Sequence, residues 1–358
     1  MNWSDIVKKY GVDFAYENAE GNIEIKPVDE WLDDVYLRLN REQAIALIKD
    51  IYDNGYEDGV NERTGKSTKR LPGKIIQVDV EKEFPVLKSK FVASKTALKE
   101  ILWIWQKQSN NIKDLDAHIW DAWADKDGSI GKAYGYQIAQ GMEFYTDTLH
   151  KSEETHRFYN NQAEYVLKYL KEIPNGRQCV VTLWNKDQIK DMNLVPCCHT
   201  TTWNLDGGRL NLVLDQRSGD FPYGVPFNTT QYAELMILFA RDLGVKPGIL
   251  THVIADAHIY DNQMDGVSLQ LKYYDLMCSI GNRSQNTIQM KAHNIINNYD
   301  TIFNTYLELI EQAKEALNCK PLFEVDCVYN NFFEVTPDCC MTRDYNNMGK
   351  IDIGEIAV

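Results

Sequence analysis

The stretch Tyr232 to Leu243 constrains this chain most: wound as a helix it is apolar nearly all round, and it stops at Gly244. A helix without a polar face has no side to give to water and must be enclosed by other elements. A glycine just past its end suits the left-handed turn that closes a helix. The sequence also supplies strands: Cys179 to Trp184, Arg209 to Leu214 and Ile249 to Tyr260 are rich in β-branched and aliphatic residues and bounded by glycine or polar turns, the pattern of buried strands. Two further helices follow from periodicity. Ser94 to Gln108 places Leu98, Ile101, Leu102 and Trp105 on one face, with Ser94 able to cap it. On its other face Glu100 is followed one turn on by Trp103 and Ile104, so this carboxylate sits on apolar surface. Tyr299 to Leu317 carries Ile302, Phe303, Tyr306, Ile310, Ala313 and Leu317 on one stripe and reads as a long amphipathic helix. The class is α+β.

No repeat, low-complexity tract or Pro/Gly/Ser-rich linker divides the 358 residues, so one large domain with insertions is the simplest organisation. The net charge of −14 repels phosphate over the whole surface and argues against broad binding to nucleic acid or to an anionic membrane. Any phosphate site must be a local group of arginines. Met1 to Tyr16 interrupts its apolar residues with Asp5, Lys8, Lys9 and Asp13, unlike a signal peptide, and the longest apolar run, Leu235 to Ala240, is far short of the roughly 20 residues of a membrane span. A soluble, cytoplasmic protein is expected. The eight cysteines lack the paired two-residue spacing of zinc sites, so no metal is expected and reduced thiols are the default.

The densest group of reactive residue types is Leu194-Val195-Pro196-Cys197-Cys198-His199, then Gln216-Arg217-Ser218-Gly219-Asp220, then Gly224-Val225-Pro226-Phe227-Asn228. In order around it stand Glu62-Arg63-Thr64-Gly65, Ile119 to Asp125 with Gly131 to Tyr134 behind it, Asp256-Ala257-His258-Ile259-Tyr260, and Glu355-Ile356-Ala357-Val358. Together these segments resemble the thymidylate synthases. The likeness runs over residues 45 to 263 and 332 to 358, and no single segment is specific alone, since Pro-Cys is common. It implies a large mixed β-sheet flanked by helices, with sheets packed back to back in a homodimer. It also implies reductive methylation of deoxyuridine monophosphate (dUMP) to the thymidine nucleotide (dTMP), with 5,10-methylenetetrahydrofolate as donor and dihydrofolate as product. The remainder divides into an extension over residues 1–44 and a helical insertion around 270–325 within a catalytic domain of 45–358.

The chemistry explains the residue types. Carbon 5 of uracil is a poor nucleophile, and a thiolate added at carbon 6 gives it enolate character. Counting back from Gln216-Arg217-Ser218 in the family pattern selects Cys197 over Cys198 for that addition, and Arg217, close by in the family arrangement, would lower its pKa. A desolvated carboxyl suits proton transfer at the uracil carbonyl, which fits Glu100, and Tyr134 resembles the family tyrosine that assists loss of the carbon 5 proton. Asn228 can accept from N3–H and donate to O4 of uracil, whereas cytosine reverses both demands; the competing reading is a helix cap before Tyr232. His258 and Tyr260, two apart on one strand face, would hold the ribose, although a lone strand histidine is more often a core residue. By the resemblance, phosphate is held by Arg63, Arg217 and Ser218 with Arg177 of the partner subunit. Asp220, counted also with the substrate-binding residues, is expected to hydrogen-bond the pterin ring, Trp120 and Trp123 to line its pocket, and Gly224, Val358 and Lys90 to bind the folate, Lys90 toward the glutamyl tail.

Three positions depart from the family pattern: Gln178 replaces the second of two adjacent arginines, Thr202 stands where glutamine is usual, and Cys198 where histidine is frequent. The first removes a charge-assisted contact and predicts weaker nucleotide binding. The alternatives are a dUMP or dCMP hydroxymethylase, against which Trp120 and Val358 speak, and a catalytically silent nucleotide-binding homologue, against which Cys197, Glu100 and Asn228 speak.

Overall fold

The strand-forming runs come together as one mixed sheet in the computed structural model, which describes residues 15–17, 23–25, 43–147, 149–281 and 285–354. The strands lie in the order Tyr56–Asp58, Thr68–Asp79, Lys246–Tyr260, Arg209–Gln216, Cys198–Asp206, Val180–Thr182, and the short Gly219–Asp220 adds beside Lys246–Tyr260 as a seventh. Lys246–Tyr260 runs parallel to Arg209–Gln216 and to Gly219–Asp220; the other neighbours are antiparallel.

Arg209–Gln216 shows why the sheet has two unlike faces. Leu210, Leu212, Leu214 and Gln216 are buried, while Arg209, Asn211, Val213 and Asp215 between them are half-buried. Successive side chains of a strand point to opposite faces, so the expected fully buried strand is buried on one side only. The buried face packs on the helices Ser94–Trp105, Gln162–Glu172 and Gly224–Leu243 around Trp103, Trp105, Trp203, Leu235 and Phe239. Each buried Leu or Phe contributes about 1.5–3 kcal/mol.

Gly224–Leu243 is enclosed as its composition requires, and Gly244 ends it at φ 70°. It begins eight residues earlier than the apolar run, because Pro226 is tolerated in a first turn, where no helical amide hydrogen bond is lost. Asn228 therefore lies inside the helix, which removes the cap reading. Ser94 does not cap its helix either: the cap position falls on Ala93 without a side-chain bond, and the Ser94 hydroxyl instead accepts from Thr342. The helix expected from Tyr299 starts at Tyr306, because Thr305 and Glu308 form a capping box that fixes the start there; Ile302 is left exposed.

Within the stretch read as an insertion, Met264–Gly281, Gln285–Asn298 and Tyr306–Asn318 pack together around Leu276, Ala292, Ile295, Leu309 and Ala313. Reduced thiols are not found throughout. The hairpin Leu322–Val325 with Cys340–Arg343 brings Cys327 beside Cys339, and the two form a disulfide with Cα atoms 5.3 Å apart. Residues 1–14, 18–22 and 26–42, most of the extension, and the closing segment Glu355–Val358 with Val358 lie outside the described residues.

Candidate active site

Sheet register builds the centre of the site. Cys198 pairs with Gln216, so the residues just before and after them, Cys197 and Arg217, face each other where the two strands end, and Arg217 N donates to Cys197 O at 3.0 Å. The Arg217 guanidinium is held by the carbonyls of Pro196 (3.0 Å) and Val195 (2.8 Å), which leaves Nη2 3.8 Å from Cys197 Sγ. Burial pushes the Cys197 thiol above its ordinary range, and the Arg217 and Arg63 cations pull it back only in part. The expected lowering by Arg217 is present but is outweighed by desolvation. The neighbouring thiol is unlike it. Cys198 is fully enclosed, its Sγ donates to Gln216 Oε1 at 3.3 Å, and burial drives its pKa far up, while Cys197 stays partly accessible. A strand's alternation thus separates an addressable sulfur from a packed one.

Tyr134 reaches Cys197 from the other side: its hydroxyl accepts from Cys197 N at 3.0 Å. It does so from a backbone at φ 45°, uncommon for a residue with a Cβ. The flanking glycines permit this: Gly131 sits at φ 73°, and any Cβ at Gly135 would strike the Ser109 carbonyl. Behind Tyr134 stands an aromatic wall, with Trp120 5.0 Å from Tyr134, 5.6 Å from Trp123 and 5.9 Å from Trp103 between ring centroids.

Trp120 also donates to Glu100 Oε1 at 2.7 Å, and Gln231 donates to Oε2 at 2.9 Å. Glu100 is buried, as its apolar neighbours on the helix suggest, and desolvation lifts its carboxyl to about 7 against those two hydrogen bonds. Asn228, one turn before Gln231, directs Nδ2 to Gln231 Oε1 at 3.5 Å.

His258 and Tyr260 stand on one stretch of strand with rings 5.0 Å apart, and His258 Nδ1 lies 3.4 Å from Asp256. The parallel pairing of Asp220 with His258 sets Asp220 beside them. Gln263 donates to Asp220 Oδ2 at 3.1 Å, whereas Oδ1 is buried without a partner; burial raises this carboxyl, which the nearby His258 and Lys90 oppose. Lys90 is enclosed, its Nζ 5.0 Å over the Tyr223 ring, and desolvation lowers it to about 8. Its placement is interior, not at the surface. Ser218 follows Arg217, and its carbonyl accepts from Gln216 at 2.8 Å; Gly224 opens the long helix. Arg63 rides on an exposed turn held by Asn61, close enough to lower Cys197 and Tyr260. Arg177 is exposed ahead of the edge strand Val180–Thr182 and is not among the residues gathered around Cys197.

Sequence reasoning missed Gln231, Gln216 and Gln263. The signal was available for the first: a glutamine on a helix enclosed on all sides must find a hydrogen-bond partner, and a position three residues from Asn228 shares its face.

Among the described residues no group of three or more His, Cys, Asp or Glu side chains could hold a metal ion, and no helix is long and apolar enough to cross a membrane. Residues 42–304 match the family model described as thymidylate synthase, past the 263 at which the first stretch of motif likeness ends. A thymidylate synthase of Clostridium beijerinckii is 43% identical over 238 residues, covering 66% of this chain and 82% of that one. Thymidylate synthase 1 of Bacillus spizizenii is 35% identical over 240 residues, 64% of this chain and 82% of that one. The solved structure of the thermostable thymidylate synthase A from Bacillus subtilis superposes with a TM-score of 0.67 at 29% identity, covering 89% of this chain and 99% of that one. A sheet end that sets one accessible thiol against an arginine, a strained tyrosine and a buried carboxyl agrees with these likenesses, and the chain belongs to the thymidylate synthase family.

Proposed function

We propose that this enzyme methylates carbon 5 of dUMP to give dTMP, taking its one-carbon unit from 5,10-methylenetetrahydrofolate and releasing dihydrofolate. The observation that carries the reading is the pairing of a partly accessible thiol, Cys197, beside the Arg217 cation with a buried carboxyl, Glu100, lifted to about 7 across the Tyr134–Trp120 wall. A nucleophile and a proton donor flanking one aromatic wall are what addition at carbon 6 and proton transfer at O4 require.

In this reading Cys197 adds to carbon 6 as thiolate, and a phosphate-bound substrate brings its ring to a sulfur already biased by two arginines. Glu100 in its acid form hydrogen-bonds O4 and steadies the enolate that addition creates. Tyr134, with water, receives the carbon 5 proton. Asn228 reads N3–H and O4. His258 and Tyr260 hold the ribose, and Arg63, Arg217 and Ser218 hold the phosphate with Arg177 of the partner subunit. The folate supplies the one-carbon unit and the hydride. The residues fit its pterin: Asp220 Oδ1 is a buried acceptor without a donor, and the Nε1 of Trp123 is buried without a partner too. Asp220, Trp120, Trp123, Gly224, Lys90 and Val358 are assigned to it. A homodimer completes the reading, supported by the half-buried second face of the sheet, where Val213, Thr251 and Val253 alternate with the core residues; a cytoplasmic location belongs to the same proposal. The division into an extension of 1–44, a catalytic domain of 45–358 and an insertion around 270–325 belongs to the same proposal.

Incubation with dUMP and methylenetetrahydrofolate, followed by product mass, tests it. A methylated nucleotide with dihydrofolate is expected. A hydroxymethylated nucleotide would mean that water captures the one-carbon unit, and unchanged substrate would leave a nucleotide binder.

A further inference from the structure

Gln231 sits wholly enclosed between the two groups assigned to the uracil edge. Its Nε2 donates to Glu100 Oε2 at 2.9 Å and approaches the Ala97 carbonyl at 3.4 Å, while its Oε1 faces Asn228 Nδ2 at 3.5 Å. Glutamine has one donor end and one acceptor end, and which is which follows from its neighbours. The Ala97 oxygen can only accept, so the amino end of Gln231 must point to it and to Glu100. The carbonyl end is then fixed toward Asn228.

An asparagine amide is nearly symmetric in shape, and without a neighbour to choose between its two orientations it could present either edge pattern to a base. With Gln231 Oε1 beside it, Asn228 must turn Nδ2 to that side, which is the side of Glu100. Its second Nδ2 hydrogen then serves O4 and its Oδ1 is left for N3–H, the uracil pattern. Cytosine demands the flipped amide, which would set Asn228 Oδ1 against Gln231 Oε1, two acceptors facing each other with a hydrogen bond lost.

We propose that Gln231 is a specificity-determining positioning residue: by fixing the orientation of the Asn228 amide it makes the site select a uracil over a cytosine nucleotide. The inference rests on the dUMP reading above. Gln231 touches neither base nor folate in this scheme; it acts through Asn228.

The test is equilibrium binding of dUMP and of dCMP, without folate, to the full-length protein and to Gln231→Met, which keeps the side-chain length and removes both polar ends. The expected result is a fall in the dUMP-to-dCMP affinity ratio by roughly tenfold, the scale of one neutral hydrogen bond, with part of the fall coming from improved dCMP binding. A general loosening of the site would weaken both nucleotides together and leave the ratio where it was, which overturns the proposal. Gln231→Ser, whose hydroxyl is too short to reach Asn228, serves if the methionine variant does not fold, and its ratio should fall likewise. Failure of the unaltered protein to bind dUMP at all would instead refute the dUMP reading, so the two failures are told apart by the first titration.

Discussion

Glu100→Gln separates the electrostatic character of the site from its packing. The carboxyl is carried by burial from an ordinary 4.5 to about 7, so the folded protein keeps a proton that the unfolded chain releases. At about 1.4 kcal/mol per tenfold change in proton affinity, ionising it in place costs about 3 kcal/mol once the pH is well above 7. The sign follows: stability from this group is fully present below pH 4.5, falls through the window from 4.5 to 7, and is gone above it. Glutamine has no such window. Its amino group faces either the Trp120 or the Gln231 donor, which costs about 1–3 kcal/mol at every pH, so the constant offset and the pH-dependent part are distinguishable. Urea unfolding at fixed protein concentration, followed by tryptophan fluorescence at pH 5, 6.5 and 8.5, should show the unaltered enzyme losing about 2–3 kcal/mol relative to Glu100→Gln between the extremes. The same variant should lower kcat by about 10²–10⁴ and remove the break near pH 7 at which the rising activity profile levels off. A stability difference that stays flat from pH 5 to 8.5 would refute a desolvated carboxyl.

Other perturbations test separate links. Cys197→Ala should abolish covalent capture of 5-fluorodeoxyuridine monophosphate, seen as an adduct by protein mass, while Cys198→Ala should spare it; the reverse would move the nucleophile by one residue. Tyr134→Phe removes the acceptor of the Cys197 amide and the phenol assigned to carbon 5, so tritium release from [5-³H]dUMP should slow about 10²-fold or more with binary dUMP affinity nearly unchanged. Gly131→Ala forces a side chain into positive φ and against the Asp191 carbonyl, and should cost about 2–4 kcal/mol of unfolding free energy with loss of activity; an unchanged melting temperature would show that the turn behind Tyr134 is not constrained.

Where sequence and structure agree, a local rule had no competitor. The apolar circumference of Tyr232 to Leu243 could only be enclosed, and Gly244 could only end it. Glu100 between Trp103 and Ile104 had no polar face to occupy, and its desolvation followed from three letters of sequence. The failures have another form. Ser94 and Asn228 carry good capping side chains, but the Ser94 hydroxyl is taken by a tertiary partner, Thr342, and Asn228 lies inside a helix that begins at Gly224. The Tyr299 stripe was apolar enough for a helix, yet a capping box opening six residues on, at Thr305, set the true start. The Cys327–Cys339 pair depended on a hairpin closing across 12 positions, which spacing alone does not reveal.

The site itself was legible by residue type but not by the partners that tune each residue. Arg217 could be read as a cation near Cys197. That its nitrogens are spent on the carbonyls of Val195 and Pro196, leaving one 3.8 Å from the sulfur, is a consequence of two strands ending in register. The same register decides which of two adjacent cysteines is accessible. Motif reading nominates Cys197 by counting back from Gln216-Arg217-Ser218 in the family pattern; that the neighbouring sulfur is packed away is what the strand's alternation adds. The thiol's net rise comes from enclosure that no local pattern reports, and it prevails over the pull of Arg217, Arg63 and Tyr134, which arrive from elsewhere in the chain. A nucleophile held above its ordinary pKa and an acid lifted to about 7 oppose each other: raising the pH recruits the thiolate while discharging the acid. Because the acid titrates below the nucleophile, the active form is a minority at every pH: activity should rise up to about 7, where Glu100 begins to discharge, stay level while the two effects cancel, and fall only once Cys197 is ionised. Arg217→Ala, by removing the cation that holds the thiol down, should move the alkaline side toward higher pH and lower the peak, leaving the acid side where Glu100 sets it. A profile that keeps its alkaline side fixed in that variant would show that the thiol is not tuned by this arginine.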